Sequence, residues 1–195
     1  NSLDKNMTHS HQRKYWENRS LEWISTRSAL QSSSHLPITS YVNNHITEKS
    51  TILDLGVGTG RYLGNFKKCK KMYGIDMMSD FIKVANKIKP KNCELFVDDI
   101  VDLQFNKPID LIFTMTVLQH IHPEQIDVSI KNITQLGAKD IMLWESNHET
   151  YVYQPEFDYR WGHNFEEIFN KYNYSLHYKE LYDNMTTWIL HFKKI

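Results

Sequence analysis

The stretch Ile52-Leu53-Asp54-Leu55-Gly56-Val57-Gly58-Thr59-Gly60 constrains this chain more than any other. An apolar run ends in an acidic residue and then turns through three glycines at alternate positions. Glycine admits backbone conformations and close approaches that a Cβ blocks. Such a turn lets a ligand lie against main chain at the carboxyl end of a strand, where open α/β sheets bind their ligands. The dinucleotide fingerprint Gly-x-Gly-x-x-Gly competes for these residues and fails in both frames. Counted from Gly56 the third glycine falls on Arg61, and counted from Gly58 it falls on Leu63. Asp54 also sits poorly beside a pyrophosphate, whereas a ligand carrying an ammonium suits it.

The rest of the chain fits an alternating pattern around that turn. Strands are predicted at 51–55, 72–75, 94–97, 109–114 and 140–144, and helices at about 11–30, 37–46, 79–88 and 123–136, with a further helix from the glycine turn to about Lys67. Short apolar strands separated by helices imply a parallel sheet covered on both faces. Near the end, strand-like stretches at 174–182 and 187–192 leave only a short gap, which favours an antiparallel hairpin. The expected fold is α/β: a doubly wound, mostly parallel seven-stranded sheet with an antiparallel C-terminal edge. Asn164 and Glu167 form a capping pair for a short helix before that hairpin. One domain is expected over 1–195, with a helical segment at 1–47, a ligand-binding core at 48–145, and an aromatic loop and hairpin at 146–195.

A second motif, Tyr73-Gly74-Ile75-Asp76, places a carboxylate 20 residues after Gly56, at the end of the second predicted strand. A carboxylate there can accept hydrogen bonds from both hydroxyls of a ribose. With these two motifs, and with Phe96 to Leu103 and Asp110 to Ile121 following in order, the chain resembles the class I S-adenosylmethionine-dependent methyltransferase family, in its small-molecule branch, over about 50–144. The resemblance implies S-adenosylmethionine as cofactor and S-adenosylhomocysteine as product. It implies that Asp54, Gly56, Gly58 and Gly60 face the methionine end and that Asp76 holds the ribose. Met77 and Met78 would flank the adenine, with Asp99 and the backbone at Ile100 on its edge. Thr114, in the fourth-strand motif, borders cofactor and acceptor.

A methyl sulfonium is already activated, so the protein must mainly hold an acceptor in line behind it, and a hydroxyl acceptor also wants a base. His120 and Glu145, after the predicted fourth and fifth strands, are the candidate bases, with His122 and His148 behind them. Tyr159 and His163 are expected to line the acceptor pocket, because the aromatic stretch from His148 to His163 is long for a mere connection, and Tyr15 of the N-terminal helix is expected to join them. The N-terminal helix resembles the lid that covers the cofactor in many members.

Other features narrow the acceptor. Lys plus Arg total 23 and Asp plus Glu total 23, so no overall basic charge draws the chain to nucleic acid. The fourth strand lacks the Asn/Asp-Pro-Pro-Tyr/Phe motif of amino-group nucleic-acid methyltransferases, and neither Cys69 nor Cys93 follows a proline. No acidic pattern for a metal is evident, no run is apolar enough to span a membrane, and the two cysteines read as free thiols in a reducing cytoplasm. The expected function is methyl transfer to an oxygen or nitrogen of a small metabolite, by a monomer or homodimer. The alternatives are a protein or RNA methyltransferase, or a catalytically silent cofactor-binding subunit.

Overall fold

A computed structural model describes residues 9–27, 37–66, 68–147, 152–154, 160–182 and 187–195. The apolar strands β1 (Thr51–Leu55), β2 (Lys71–Asp76), β3 (Cys93–Val97), β4 (Leu111–Met115) and β5 (Asp140–Ser146) run parallel. The long strands β8 (Tyr174–Leu181) and β9 (Thr187–Lys194) complete one seven-stranded sheet in the order β3-β2-β1-β4-β5-β9-β8. β9 pairs antiparallel with both β5 and β8, so the expected mixed sheet is the one observed. β1 lies between β2 and β4, which makes the carboxyl ends of β1 and β4 the place where chain direction around the sheet reverses. Open α/β sheets bind ligands at such a point.

Helices cover both faces. Ile38 and Val42 of α2 (Pro37–His45) and Ile82 of α3 (Ser79–Ile88) pack with Ile52, Met72 and Phe113 on one side. Ile126, Ile130 and Ile133 of α4 (Pro123–Gln135), with Phe165 and Phe169 of α5 (Phe165–Asn170), pack with Leu53, Leu55 and Ile112 on the other. Alternate residues of β1 thus feed two cores, as the pleat requires. Asn164 caps α5 by accepting from the Glu167 N–H at 3.2 Å, and the His122 side chain caps α4 at the Glu124 N–H.

Two expectations need correction. The helix predicted from the glycine turn to about Lys67 is a single 3-10 turn at Leu63–Asn65. Gly64 sits in its middle, where glycine opposes helix by about 1 kcal/mol relative to alanine. Phe66 then leaves helical geometry to bury its ring against Phe113, with ring centroids 4.6 Å apart. The stretch 148–163, read as an irregular aromatic loop, contains a two-stranded ribbon of β6 (Val152–Gln154) and β7 (Arg160–Gly162). α1 (His9–Arg27) crosses the carboxyl ends of the parallel strands, and its Gln12 accepts from the His122 N–H at 3.1 Å. Among the described residues no helix is long and apolar enough to cross a membrane.

Candidate active site

The glycine turn leaves β1 and is tied down by β2. The N–H groups of Gly56 and Val57 both donate to the Ile75 carbonyl, at 2.8 and 2.9 Å. Gly56, Gly58 and Gly60 have φ of 75°, 54° and 77°, the left-handed region that favours glycine. Space separates their roles. A Cβ at Gly56 would lie 2.3 Å from a Val117 methyl and one at Gly60 would lie 2.9 Å from the Ala85 Cβ, whereas one at Gly58 would meet nothing within 4 Å. Gly56 and Gly60 are therefore packing glycines, and Gly58 leaves bare main chain facing open space.

Asp76 stands at the end of β2. One carboxylate oxygen accepts from the Gly58 N–H and the other from the Met78 N–H, both at 2.9 Å. Each oxygen keeps a lone pair for a ligand hydroxyl, and the carboxylate is held in one orientation. Burial pushes its pKa up to about 6, against the pull of the two N–H donors. Asp54 is buried beneath the turn, and its Oδ1 has no hydrogen-bond partner among the described residues. Burial, with the Asp76 charge added, pushes its carboxyl up to about 8.

The turn after β4 is built on Glu145. This carboxylate, fully buried at the end of β5, accepts from the Thr114 hydroxyl at 2.6 Å and from the N–H groups of Val117, Leu118 and Gln119 at 2.9 to 3.1 Å. Burial raises its pKa and the four donors oppose that rise. Thr116, within the same turn, has φ of 58°, a costly conformation for a β-branched residue. The Glu145 anchor over-determines the turn and so keeps Thr116 in it.

These pieces surround one cavity of about 620 Å³. Gly56, Gly58, Asp76, Met77, Met78, Asp99 and Ile100 form one end of its wall. Tyr15, Trp16 and Arg19 of α1, with Gln119 and His120 from the turn after β4, form the other. The His120 ring stands edge-on to Trp16, centroids 5.2 Å apart, so helix and turn meet at the cavity wall.

The family model for a methyltransferase domain matches residues 52–139, which run from β1 to the start of β5. Over that stretch the chain is similar to a methyltransferase domain.

A search of curated proteins finds no match to this chain. Among solved structures it is similar to magnesium protoporphyrin IX methyltransferase from Synechocystis PCC 6803 with bound S-adenosylhomocysteine, at 13% identity and TM-score 0.74 over 94% of this chain and 98% of that one. It is also similar to 1,6-didemethyltoxoflavin-N1-methyltransferase from Burkholderia thailandensis, at 12% identity and TM-score 0.70 over 93% and 86%. A third is the N-methyltransferase NodS from Bradyrhizobium japonicum WM9, at 13% identity and TM-score 0.69 over 91% and 97%. At these identities the likeness is one of fold.

Several of the residues expected at the site do not line this cavity. Glu145 does not line the cavity: both its oxygens are engaged within the protein, so it holds the turn and is not placed to take a proton from an acceptor. Thr114 is its partner and is likewise buried behind the wall. Gly60 and Asp54 also lie behind the wall, one packing on α3 and one below the turn. His163 is buried, with its Nε2 at 3.0 Å from the Ile121 carbonyl, and fastens β7 to the turn instead of entering the cavity. Tyr159 and His148 lie outside the described residues. Conversely, Gln12, Gln119, Trp144 and Arg160 line the cavity without having been singled out as site residues. Arg160 lies within the aromatic stretch 148–163, so its position was within reach of that reading, whereas no local pattern marks the two glutamines.

Proposed function

We propose that this methyltransferase transfers a methyl group from S-adenosylmethionine to an oxygen or nitrogen of a small metabolite enclosed in the cavity. The observation that carries the reading is that one cavity joins the glycine turn and Asp76 at one end to α1 and His120 at the other. A cavity of about 620 Å³ between helix and sheet is sized for a small acceptor, whereas a protein or RNA chain needs an extended groove. Two features at the glycine-turn end fit the cofactor, one behind the wall and one in it. The unpartnered buried oxygen of Asp54 calls for a cation beneath or beside the turn, as an amino-acid ammonium supplies. The open main chain at Gly58, next to the paired oxygens of Asp76, suits a ribose lying against backbone.

In this reading Asp76 binds both ribose hydroxyls, Met77 and Met78 flank the adenine, and Asp99 with the Ile100 backbone marks its edge. Arg61, on the glycine turn, faces the cavity where an amino-acid carboxylate would lie. The cofactor supplies an electrophilic methyl on a sulfonium. α1 excludes water and holds the acceptor against the turn after β4, and such positioning is worth several kcal/mol of the barrier. His120 is the remaining base on this wall for an acceptor that must lose a proton. Among the described residues no three His, Cys, Asp or Glu side chains are grouped to hold a metal. Cys69 and Cys93 are free and buried.

Calorimetric titration tests the reading directly. S-Adenosylhomocysteine is expected to bind at micromolar levels and nicotinamide dinucleotides not at all; the reverse result sinks the proposal. Asp76→Ala is expected to weaken S-adenosylhomocysteine by about 1.5–3 kcal/mol, the worth of hydrogen bonds to a charged group, with the fold retained by circular dichroism. Unchanged affinity would leave Asp76 as only a clamp on the glycine turn. His120→Ala is expected to cut turnover about 10²- to 10⁴-fold at unchanged cofactor affinity if the acceptor is a hydroxyl. A loss below tenfold assigns the ring to packing against Trp16.

A further inference from the structure

The cavity wall changes chemical character along its length. At the end built by the glycine turn, β2 and β3 stand three carboxylates, Asp76, Asp98 and Asp99, with Arg61 of the turn as the cation among them. At the end built by α1, the turn after β4 and β7 stand Arg19, Arg160 and His120, and no carboxylate of the described residues joins them in the wall. Glu145 lies behind that end, where its charge favours the Arg160 guanidinium, but its two oxygens already accept four hydrogen bonds. Burial lowers the pKa of Arg160 and the Glu145 charge opposes that fall.

Two buried amides sharpen the contrast. Gln119 Oε1 accepts from the Ser146 N–H at 3.1 Å and from its hydroxyl at 3.0 Å. Gln12 Oε1 accepts from the His122 N–H at 3.1 Å. A backbone N–H can only donate, so each amide is fixed with its oxygen toward the protein and its nitrogen turned away. Both residues line the cavity, both Nε2 atoms are buried, and neither nitrogen has a hydrogen-bond partner among the described residues. An unsatisfied buried donor costs about 1–3 kcal/mol, and here two share one wall. The contrast with Asp54 at the other end is one of sign: there an acceptor lacks a donor, here donors lack an acceptor.

We infer that the methyl acceptor is a small organic acid whose carboxylate is held at this end by Gln12 Nε2, Gln119 Nε2 and Arg160. The inference rests on the methyl-transfer reading and specifies its substrate. A carboxylate is the group that matches amide N–H donors beside a guanidinium fork, since it only accepts and carries the complementary charge. Held in this way its lone pairs are engaged, so it serves as the handle and the methyl goes to another oxygen or nitrogen of the same molecule. Trp16 and Trp144 stand in the wall and favour a flat body on the acid.

The test uses the full chain saturated with S-adenosylhomocysteine, titrated by calorimetry with hydroxybenzoates and aminobenzoates and with the carboxamide of each. At least one acid is expected to bind, with its carboxamide at least tenfold weaker. Arg160→Gln and the near-isosteric Gln119→Glu are each expected to weaken that acid at least tenfold while S-adenosylhomocysteine stays within twofold. Arg160→Lys should restore part of the loss. Acids and amides that bind alike, a panel in which no acid binds, or an Arg160→Gln protein that keeps the acid's affinity would each overturn the inference. The amides would then hold water and Arg160 would only balance Glu145. Loss of S-adenosylhomocysteine binding by the unmodified chain is a separate result, and it strikes the methyl-transfer reading instead.

Discussion

Asp54→Asn is expected to stabilise the cofactor-free protein at pH 7 and to weaken its hold on S-adenosylhomocysteine at least tenfold. The unfolded carboxyl titrates near 3.8, and burial first, with the Asp76 charge second, moves the folded group up to about 8. Between those values the native state binds one more proton than the unfolded chain, so stability falls as pH rises through the window. Below it both states are protonated and the residue costs nothing through its charge; above it both are ionised and the full cost is present. Each pH unit in the window is worth about 1.4 kcal/mol. Asparagine has the same shape and no charge to bury, so a gain of roughly 2–4 kcal/mol is expected at pH 7. Urea denaturation of both proteins at pH 5, 7 and 8 reads it directly: the advantage of the variant should grow with pH. A difference that stays flat across the three values would show that Asp54 is already compensated within the protein. The affinity half follows from the same charge. An ammonium beside the turn favours the ionised carboxylate, so binding to the unmodified chain should tighten from pH 6 to 8 and release protons, and both effects should be absent in Asp54→Asn.

A residue held at the expense of stability is also one that sequence can reveal. An acid within an otherwise apolar run, immediately before glycines, has no packing purpose, and that mismatch made the motif at 52–60 legible without coordinates. The same holds for Asp76, at a strand end at the right interval. The sheet was legible for a related reason: five short apolar runs between helical stretches have few ways to bury both faces other than a parallel sheet, and the close spacing of the last two strands leaves little but a hairpin. The acceptor side was not legible, because its determinants are long-range. Whether Glu145 faces a ligand or a ring of backbone N–H groups depends on where the turn after β4 lands relative to β5, and residues 117 and 145 lie 28 apart in sequence. Gln12 meets His122 across 110 positions. Gln119 and Gln12 look like ordinary polar residues until their oxygens are seen to be taken and their nitrogens left over. The helix expected after Gly60 failed for a local reason that could have been read: Gly64 follows too soon for a helix of useful length.

Glu145→Ala carries the largest expected loss, and it is a loss of stability before one of catalysis. Removing the carboxylate strands the Thr114 hydroxyl and the N–H groups of Val117, Leu118 and Gln119 in a place where Glu145 itself is fully buried. Each stranded donor costs about 1–3 kcal/mol unless water reaches it. With partial rehydration through the cavity a total of about 3–5 kcal/mol is expected, near the figure for breaking a buried charged network. In a chain of this size that lowers the thermal midpoint by on the order of 10 °C. Thr116 should lose its imposed left-handed conformation at the same time, which displaces His120 and Gln119 from the cavity wall. Glu145→Gln separates this role from that of a base. Its Oε1 can still accept from Thr114, Val117 and Leu118, while its amide nitrogen opposes the Gln119 N–H, so a cost of about 1–2 kcal/mol is expected. A general base replaced by an amide loses about 10²- to 10⁴-fold in turnover; an anchor replaced by a near-isostere loses less than tenfold. Turnover assayed well below the thermal midpoint of each variant therefore decides the assignment. A folded Glu145→Gln protein that has lost a hundredfold or more in kcat would return the carboxylate to the chemistry and require the turn after β4 to open when the acceptor binds.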